Sequence, residues 1–367
     1  MADNVGQFLR PHLLRKRYSC HSYSILVPIV TKTKVLLVHG GKSSEHDVSL
    51  MSARNVFAAL DDSRYDVTLC LIDREGRWWL QDTIDDTHIG KPQLLPVFGQ
   101  KKFITLPDHH IVQPDVIFPV LHGKNGEDGT VQGAFELLGI PYVGPSLLGA
   151  AVTMDKDMTK RLMEREGIPV VPWHTWRVHD RQPLYEQIKA ELGEKVFVKP
   201  ASAGSSIGVS RVNSAQDWEK ILDVAAEHSD QVLIEKMIDA REIELAVLGN
   251  DEPKVSGAGE IVLGEQFYTY DEKYSSGSSA TVIIPADITD DVLQQMQQYA
   301  LTAYATCECR GMARVDFFIE KSTGNVYLNE VNSIPGFTNI SMYPKLWRQV
   351  GVSYPHLVST LIDLALE

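Results

Sequence analysis

The stretch GMARVDFFIEKSTGNVYLNEVNSIPGFTNIS, residues 311–341, decides how this chain folds. Apolar residues alternate with polar ones on both sides of its turn-forming centre, KSTGN, which predicts two antiparallel strands joined by a hairpin. A five-residue turn places Asp316 opposite Glu330 and Arg314 opposite Asn332, and side chains two apart on a strand share a face. The sequence therefore predicts that these four side chains project to one side, while the other face is buried.

Two carboxylates and an amide oxygen on one face predict a metal site. Asp316, Glu330 and Asn332 offer oxygen ligands, which suit Mg²⁺ or Mn²⁺, and Arg314 adds a fixed positive charge beside them. Four apolar residues flank the site: Phe318, Leu328, Ile334 and Phe337. Carboxylates without a partner are costly in such a semi-buried neighbourhood, which favours a metal site over a solvated charged face.

Composition limits the classes of protein that fit. A chain of 367 residues can form two or three domains, and its net charge of -13 disfavours nucleic-acid binding, which needs a basic surface. The four cysteines form no C-x-x-C pair, so we expect reduced thiols in a cytoplasmic protein. The longest apolar run, residues 25–30, is too short for a membrane span. We expect residues 1–32 to be a disordered extension or an upstream-start artefact.

The first half of the chain reads as an α/β unit. Residues 34–60 have the pattern of a strand, a glycine loop and a helix, and residues 115–138 repeat that order, with a helix over residues 130–138 that ends at Gly139. This alternation predicts a parallel sheet in an N-terminal domain, residues 33–146. Residues 81–110 carry little periodic signal and receive no assignment.

The second half predicts a strand, a flexible loop and further strands. A helix is expected over residues 154–166 and a strand over 195–199, followed by the small-residue loop 200–206. Strands are also expected over residues 207–212 and 231–238, and residues 264–279 have the composition of a long mobile loop. We expect a central domain, residues 147–240, and a C-terminal domain, residues 241–367.

The order of these motifs resembles that of the ATP-grasp fold: Lys199 at a strand end, a Gly/Ser flap, Glu235-Lys236-Met237, then the acidic hairpin. With HGGKSSE at residues 39–45, HGKNGEDG at 122–129 and an EKY motif ending at Tyr274, the chain more narrowly resembles the D-alanine:D-alanine ligase family. The resemblance covers everything after the first 32 residues. It implies a mixed α/β (α+β) protein, in which the parallel-sheet domain precedes an ATP-grasp fold and ATP lies between the central and C-terminal domains.

The resemblance also implies a reaction and the residues that perform it. In this family the carboxylate of one D-alanine attacks the γ-phosphate of ATP, and the amine of a second D-alanine displaces phosphate from the resulting acyl phosphate. The matching metal ligands, for two Mg²⁺ or Mn²⁺ ions, are Asp316, Glu330 and Asn332, and the catalytic groups are Glu45, Ser205, Tyr274 and Arg314. The matching ATP ligands are Lys156, Lys199, Ser206, Glu235, Lys236, Met237, Glu242 and Lys273. The matching substrate contacts are Glu45, His122, Tyr268, Gly336, Ser341 and Met342.

Several alternatives remain open from the residues alone. Glu45 is equally well explained as a helix cap, and Glu242 as a surface strand glutamate. Tyr274 favours an amine as second nucleophile over D-lactate, while tolerance for D-serine and dependence on K⁺ stay open. A regulatory ATP-binding module without turnover is the alternative from a different class. The family is typically homodimeric, and we expect small-molecule partners without nucleic acid or membrane.

Overall fold

The computed structural model describes residues 31–202, 204, 207–262 and 281–367. The predictions for the N-terminal extension, for Ser205 and Ser206, and for the loop 264–279 therefore lie outside the described residues. Residues 32–367 belong to one compact unit. The three predicted domain boundaries stay a prediction, although the three sheets of this unit follow each other along the chain in the predicted order.

The first sheet contains seven strands in the order β6-β5-β4-β3-β2-β1-β7. Its strands are β1 (Thr33–Gly40), β2 (Tyr65–Ile72), β3 (Trp78–Gln81), β4 (Gln93–Val97), β5 (Lys102–Leu106), β6 (Ile111–Val112) and β7 (Val116–Pro119). The parallel pairing expected from the sequence is confirmed for β1 with β2 and with β7. The other four strands are antiparallel, so the sheet is mixed. Two of these added strands, β4 and β5, lie in the unassigned segment, where partial burial weakens the alternation of apolar and polar residues.

Both faces of β1 are covered, which explains its continuous apolar run. Val35 and Leu37 pack under helix α1 (His46–Ala59), while Leu36 and Val38 pack under helix α2 (Thr130–Leu138). Helix α2 ends at Gly139, whose φ of 73° suits glycine, as the sequence predicts. The loops that follow β1 and β7 therefore meet at one edge of this sheet.

The second sheet contains four antiparallel strands in the order β10-β9-β11-β8. These are β8 (Trp173–Arg177), β9 (Val196–Pro200), β10 (Ser210–Val212) and β11 (Gln231–Lys236), packed with helices α5 (Tyr185–Leu192) and α6 (Trp218–Ala226). The strands expected near residues 195 and 231 are confirmed, and β10 is shorter than the predicted strand 207–212.

Two helices precede this sheet where the sequence predicts one. Helix α3 (Leu147–Met154) ends and α4 (Lys156–Arg165) begins around Asp155, whose backbone is extended. The Asp155 carboxylate accepts a hydrogen bond from the backbone N–H of Met158 at 3.0 Å, so it acts as the N-cap of α4. The single helix predicted over 154–166 is therefore wrong at its first residues.

The third sheet contains five antiparallel strands in the order β14-β13-β12-β15-β16. Its elements are β12 (Ala240–Leu248), β13 (Lys254–Val262), β14 (Thr281–Ile283), β15 (Met312–Glu320) and β16 (Val326–Asn332), with helices α7 (Asp290–Thr306), α8 (Met342–Gln349) and α9 (Tyr354–Leu366). One face of the sheet packs against α7. Helices α8 and α9 share a core with β1 and α1, which joins the third sheet to the first.

Two expectations drawn from composition can be compared with the described residues. Cys70, Cys307 and Cys309 are buried free thiols, as expected for reduced cysteines. In the part of the chain that the structure describes, no helix combines the length and the apolar character needed to cross a membrane.

Candidate functional site

The hairpin formed by β15 and β16 brings the four predicted side chains together. Arg314 pairs with Asn332 and Asp316 with Glu330, which confirms the predicted pairing. Between the turn and the site, the two strands pair one residue away from the predicted register. A β-bulge at Asn329 restores the predicted register from Glu330 onwards. The opposite face of the hairpin is buried, also as predicted.

Arg314 lies at the centre of a network of carboxylates. Its guanidinium donates to both oxygens of Asp316 at 2.7 Å and lies 3.0 Å from Glu244 Oε2, while Asn332 Nδ2 donates to Asp316 at 2.9 Å. Burial alone lowers the pKa of the Arg314 guanidinium, but Asp316 and Glu244 outweigh it and raise that pKa. Arg314 is therefore a fixed cation, held by one carboxylate on its own strand and by another on the neighbouring strand β12.

The donor set on this face fits a hard divalent cation. Glu244, Asp316 and Glu330 carry three negative charges, against the two positive charges of Arg314 and of Lys156, whose Nζ lies 3.7 Å from Glu330 Oε2. Among the described residues, no three His, Cys, Asp or Glu side chains converge at metal-binding geometry. Mg²⁺ is typically bound by one or two carboxylates together with substrate phosphates and water, and Asp316, Glu330 and Asn332 match that pattern.

Two of the predicted ATP ligands form an ion pair on the second sheet. Lys199 Nζ on β9 lies 2.6 Å from Glu235 Oε2 on β11, and Lys160 Nζ on α4 lies 2.8 Å from the other oxygen. Although burial alone raises the pKa of Glu235, the two ammonium groups outweigh it and hold that pKa below its usual range. Lys156 lies one turn before Lys160 on α4, so this helix contacts both the hairpin and the second sheet.

The segment after β11 crosses from the second sheet to the third. Lys236 is exposed, and its backbone N–H donates to the carbonyl of Pro172 at 2.9 Å. The N–H of Met237 donates to the carbonyl of Lys195 at 3.0 Å. Glu242 is partly exposed and pairs with Phe318 on β15, and the alternation along β12 places it on the same face as Glu244.

Glu45 lies where the first and second sheets approach each other. It is the N-cap residue of α1, yet its side chain makes no capping hydrogen bond, so the cap interpretation finds no support. A Cβ placed on Gly123 would lie 2.6 Å from Glu45 Oε2, and one placed on Gly204 would lie 3.4 Å away. The carboxylate therefore faces both the loop after β7 and the small-residue loop after β9.

His122 is buried beside this carboxylate. Its Nε2 lies 3.2 Å from Ser52 Oγ, which in turn accepts from the backbone N–H of Phe337 at 3.3 Å. Burial alone lowers the pKa of the His122 imidazole, but Glu127, and to a lesser extent Glu45, raise it above its usual value. His122 thus connects the first-sheet loops to the segment that follows the hairpin.

The remaining described substrate residues lie in that segment. A Cβ on Gly336 would lie 2.7 Å from Ser341 Oγ, and the same hydroxyl accepts from the N–H of Thr338 at 3.0 Å. Met342 is buried, and its sulfur would lie 2.6 Å from a Cβ on Gly259, so it packs in the core beneath the third sheet. Gly336 and Ser341 therefore lie against each other in the segment after the hairpin, and the substrate contacts of Gly336, Ser341 and Met342 stay predictions.

Comparison with protein families identifies the fold and the family. Residues 34–145 match the model described as D-ala D-ala ligase N-terminus, and residues 162–363 match D-ala D-ala ligase C-terminus. The chain belongs to the D-Ala–D-Ala ligase family. The resemblance inferred from the motifs is thereby confirmed.

Individual members of the D-Ala–D-Ala ligase family align over nearly the whole chain. The D-alanine–D-alanine ligase of Proteus mirabilis is 42% identical over 353 residues, covering 92% of this chain and 96% of the relative. D-alanine–D-alanine ligase A of Escherichia coli K12 is 44% identical over 352 residues, with the same coverage.

Solved structures of the D-Ala–D-Ala ligase family share the fold. The D-alanine–D-alanine ligase of Coxiella burnetii superposes with a TM-score of 0.82 at 37% identity, covering 91% of this chain and 94% of that one. The VanG D-Ala:D-Ser ligase of Enterococcus faecalis superposes with a TM-score of 0.83 at 36% identity, covering 91% and 100%. The ATP-grasp fold class expected from the sequence is confirmed.

Five predicted site residues of this family member lie outside the described residues: Ser205, Ser206, Tyr268, Lys273 and Tyr274. Two residues that the sequence reasoning missed enter the site. Glu244 holds Arg314 from β12, and the spacing Glu242-x-Glu244 on one strand was the available signal. Lys160 holds Glu235, and its position four residues after Lys156 was the available signal.

Proposed function

We propose that this chain ligates two D-alanines to D-alanyl-D-alanine, consuming ATP and releasing ADP and phosphate, for the synthesis of peptidoglycan precursors. The observation that carries the proposal is the cluster of Arg314, Asp316, Glu330 and Asn332 on one face of the hairpin. The names of its relatives support the same activity. An inactive regulatory module is disfavoured because this cluster retains every predicted member.

Transfer of a phosphoryl group to a carboxylate brings anions together, so the site must supply positive charge. Lys156 and Lys199 would hold the ATP phosphates from two sides, and Glu235, Lys236, Met237 and Glu242 would border the nucleoside. Two Mg²⁺ ions, or Mn²⁺, bound by the hairpin oxygens would neutralise charge on the phosphates. Arg314 would stabilise the negative charge that develops on the transferring phosphoryl group and on the tetrahedral intermediate.

The amino-acid substrates would lie between the first sheet and the hairpin. The Glu45 carboxylate would bind the ammonium of the first D-alanine, with His122 beside it. Gly336 and Ser341 would border the second D-alanine, whose carboxylate is attracted by Arg314. In this arrangement the amine of the second D-alanine would approach the acyl phosphate from the side of the hairpin. Closure of the site around the substrates would keep water from the acyl phosphate.

The second substrate is the point on which close relatives differ. A D-Ala:D-Ser ligase has nearly the same fold as this chain, so overall fold does not discriminate between D-alanine and D-serine. The curated relatives, at higher identity, are named D-alanine–D-alanine ligases, which favours D-alanine. Ligation to D-lactate is disfavoured by Tyr274 in the EKY motif.

D-Alanine-stimulated hydrolysis of ATP tests the proposal. With ATP and Mg²⁺ present, D-alanine should stimulate phosphate release, whereas L-alanine, which has the same charges and volume, should not. Phosphate release that does not respond to D-alanine would contradict ligation and favour the regulatory alternative. A homodimeric assembly is a further prediction from the family resemblance and a cytoplasmic location is one from the cysteine pattern, whereas dependence on K⁺ is not predicted.

A further inference from the structure

Lys160 is a buried lysine for which the proposed reaction gives no role. It lies on α4, and its side chain is almost completely removed from water. Its Nζ donates to the carbonyl of Val171 at 3.0 Å, lies 2.8 Å from Glu235 Oε1 and stands 5.3 Å from the centre of the Trp173 ring. Lysines are rarely buried to this degree unless they are paired, so the position requires a physical explanation.

The partner of Lys160 is shared with a second lysine. One carboxylate, that of Glu235, lies between the ammonium groups of Lys160 and Lys199, so the three side chains together carry one excess positive charge. The two lysines are not equivalent, because the Lys160 side chain is 1% exposed and that of Lys199 is 11% exposed. Lys199 is therefore the member that can turn towards a ligand.

We propose that Lys160 is a positioning residue that keeps Glu235 ionised and in place while Lys199 exchanges that carboxylate for a nucleotide phosphate. The inference rests on the proposed function, in which Lys199 binds ATP. A buried carboxylate that loses its partner is costly and tends to take up a proton. Lys160 prevents this because the Val171 carbonyl and the Trp173 ring hold its ammonium beside Glu235.

The surroundings of Glu235 support different roles for the two lysines, with Lys160 staying at the carboxylate and Lys199 turning towards the phosphate. Lys160 on α4 and Lys199 on β9 are the charged groups with the largest influence on its pKa, and the facing residue on β8 is the uncharged Trp173. Burial lowers the pKa of Lys160, and Glu235, together with Glu164 on the same helix, opposes that shift. When Lys199 turns away, Lys160 is therefore the principal cation left at the carboxylate.

Calorimetric titration with ATP and Mg²⁺, without D-alanine, tests the inference. In the wild type, binding should leave the charge of Glu235 unchanged. In Lys160→Met, Glu235 should lose its last cation on binding, so its pKa should rise and the carboxylate should take up a proton. Titrations of this variant in buffers of different ionisation enthalpy should show up to about one more proton bound per ATP than in the wild type. Its affinity for ATP should also fall as the pH is raised, by up to about tenfold per pH unit.

Three further variants make the result specific. Lys160→Arg keeps the positive charge and should restore the wild-type proton balance. Lys160→Met combined with Glu235→Gln removes the titrating carboxyl and should also show no excess uptake. Lys160→Gln retains a hydrogen-bond donor without charge, and it should repeat the result of the methionine variant if that variant does not fold.

Excess proton uptake in the uncharged variants, absent from both controls, supports the inference. ATP binding by a folded Lys160→Met or Lys160→Gln protein with the wild-type proton balance overturns it. Failure of the wild type to bind ATP would instead refute the proposed function, so the two failures are distinguishable.

Discussion

Replacing Arg314 by alanine removes the cation that two buried carboxylates of the site share. The guanidinium neutralises Asp316 at 2.7 Å and Glu244 at 3.0 Å, and these residues are only 8% and 6% exposed. Removing one partner of a buried ion pair costs about 3–5 kcal/mol of unfolding free energy. Removing a group that stabilises developing negative charge lowers kcat by about 10²–10³-fold. We expect Arg314→Ala to show both losses while it retains much of its ATP binding.

A second substitution separates the two effects. Adding Glu244→Gln to Arg314→Ala removes one of the carboxylates that lose their shared cation, and should recover about 1–3 kcal/mol. Turnover should stay low, because the cation itself is still missing. Arg310→Ala, at an exposed position just before β15, is the matched control and should change stability by less than about 0.5 kcal/mol.

Urea unfolding without Mg²⁺ or ATP measures the stability of each variant, and D-alanine-dependent phosphate release measures kcat. If Arg314→Ala kept wild-type turnover, the assignment of Arg314 to the transition state would be wrong. If the double variant were no more stable than Arg314→Ala, the destabilisation would not arise from the uncompensated carboxylates.

Gly336, Asp155 and Glu127 each allow a test of local geometry. Because a Cβ at Gly336 would lie 2.7 Å from Ser341 Oγ, Gly336→Ala should raise KM for the second D-alanine and leave KM for ATP unchanged in steady-state assays. Asp155→Ala removes the α4 cap and should lower the unfolding free energy by about 1 kcal/mol in urea titrations, whereas Asp155→Asn should retain most of it. Burial alone lowers the pKa of His122, but Glu127 outweighs burial and raises that pKa above its usual value. The stabilising contribution of protonated His122 is therefore complete below about pH 6.5 and is lost as pH rises through the raised value. Glu127→Gln should reduce this difference between unfolding free energies at about pH 6 and pH 8, and an unchanged difference would contradict the pairing.

The hairpin was predictable because its information is local. Alternating residues and a turn between them specify both strands, and the predicted partners of Arg314 and Asp316 are the observed ones. The bulge at Asn329 was not predictable, since an extra residue in one strand leaves the alternation on each side intact. Helix α2 was predicted to the residue because Gly139 provides an explicit stop.

The roles of Glu244 and Lys160 were not predicted from the sequence, because their partners are distant along the chain. A lysine on a helix has the same local pattern whether it faces water or a buried carboxylate, and Glu235 lies 75 residues further along the chain. Likewise, the pairing of β12 with β15 that brings Glu244 to Arg314 has no signature in either strand alone. The helix break at Asp155 was missed because apolar residues continue at helical spacing across it.

Mass-spectrometric analysis of the products formed from ATP, Mg²⁺ and D-alanine tests the central claim most directly. D-Alanine should be offered alone and then in competition with D-serine and D-lactate. The account predicts D-alanyl-D-alanine as the dominant product, formed with one ADP and one phosphate each. Absence of any ligated product despite ATP binding would contradict it, and a dominant product containing D-serine or D-lactate would refute the assignment of the second substrate.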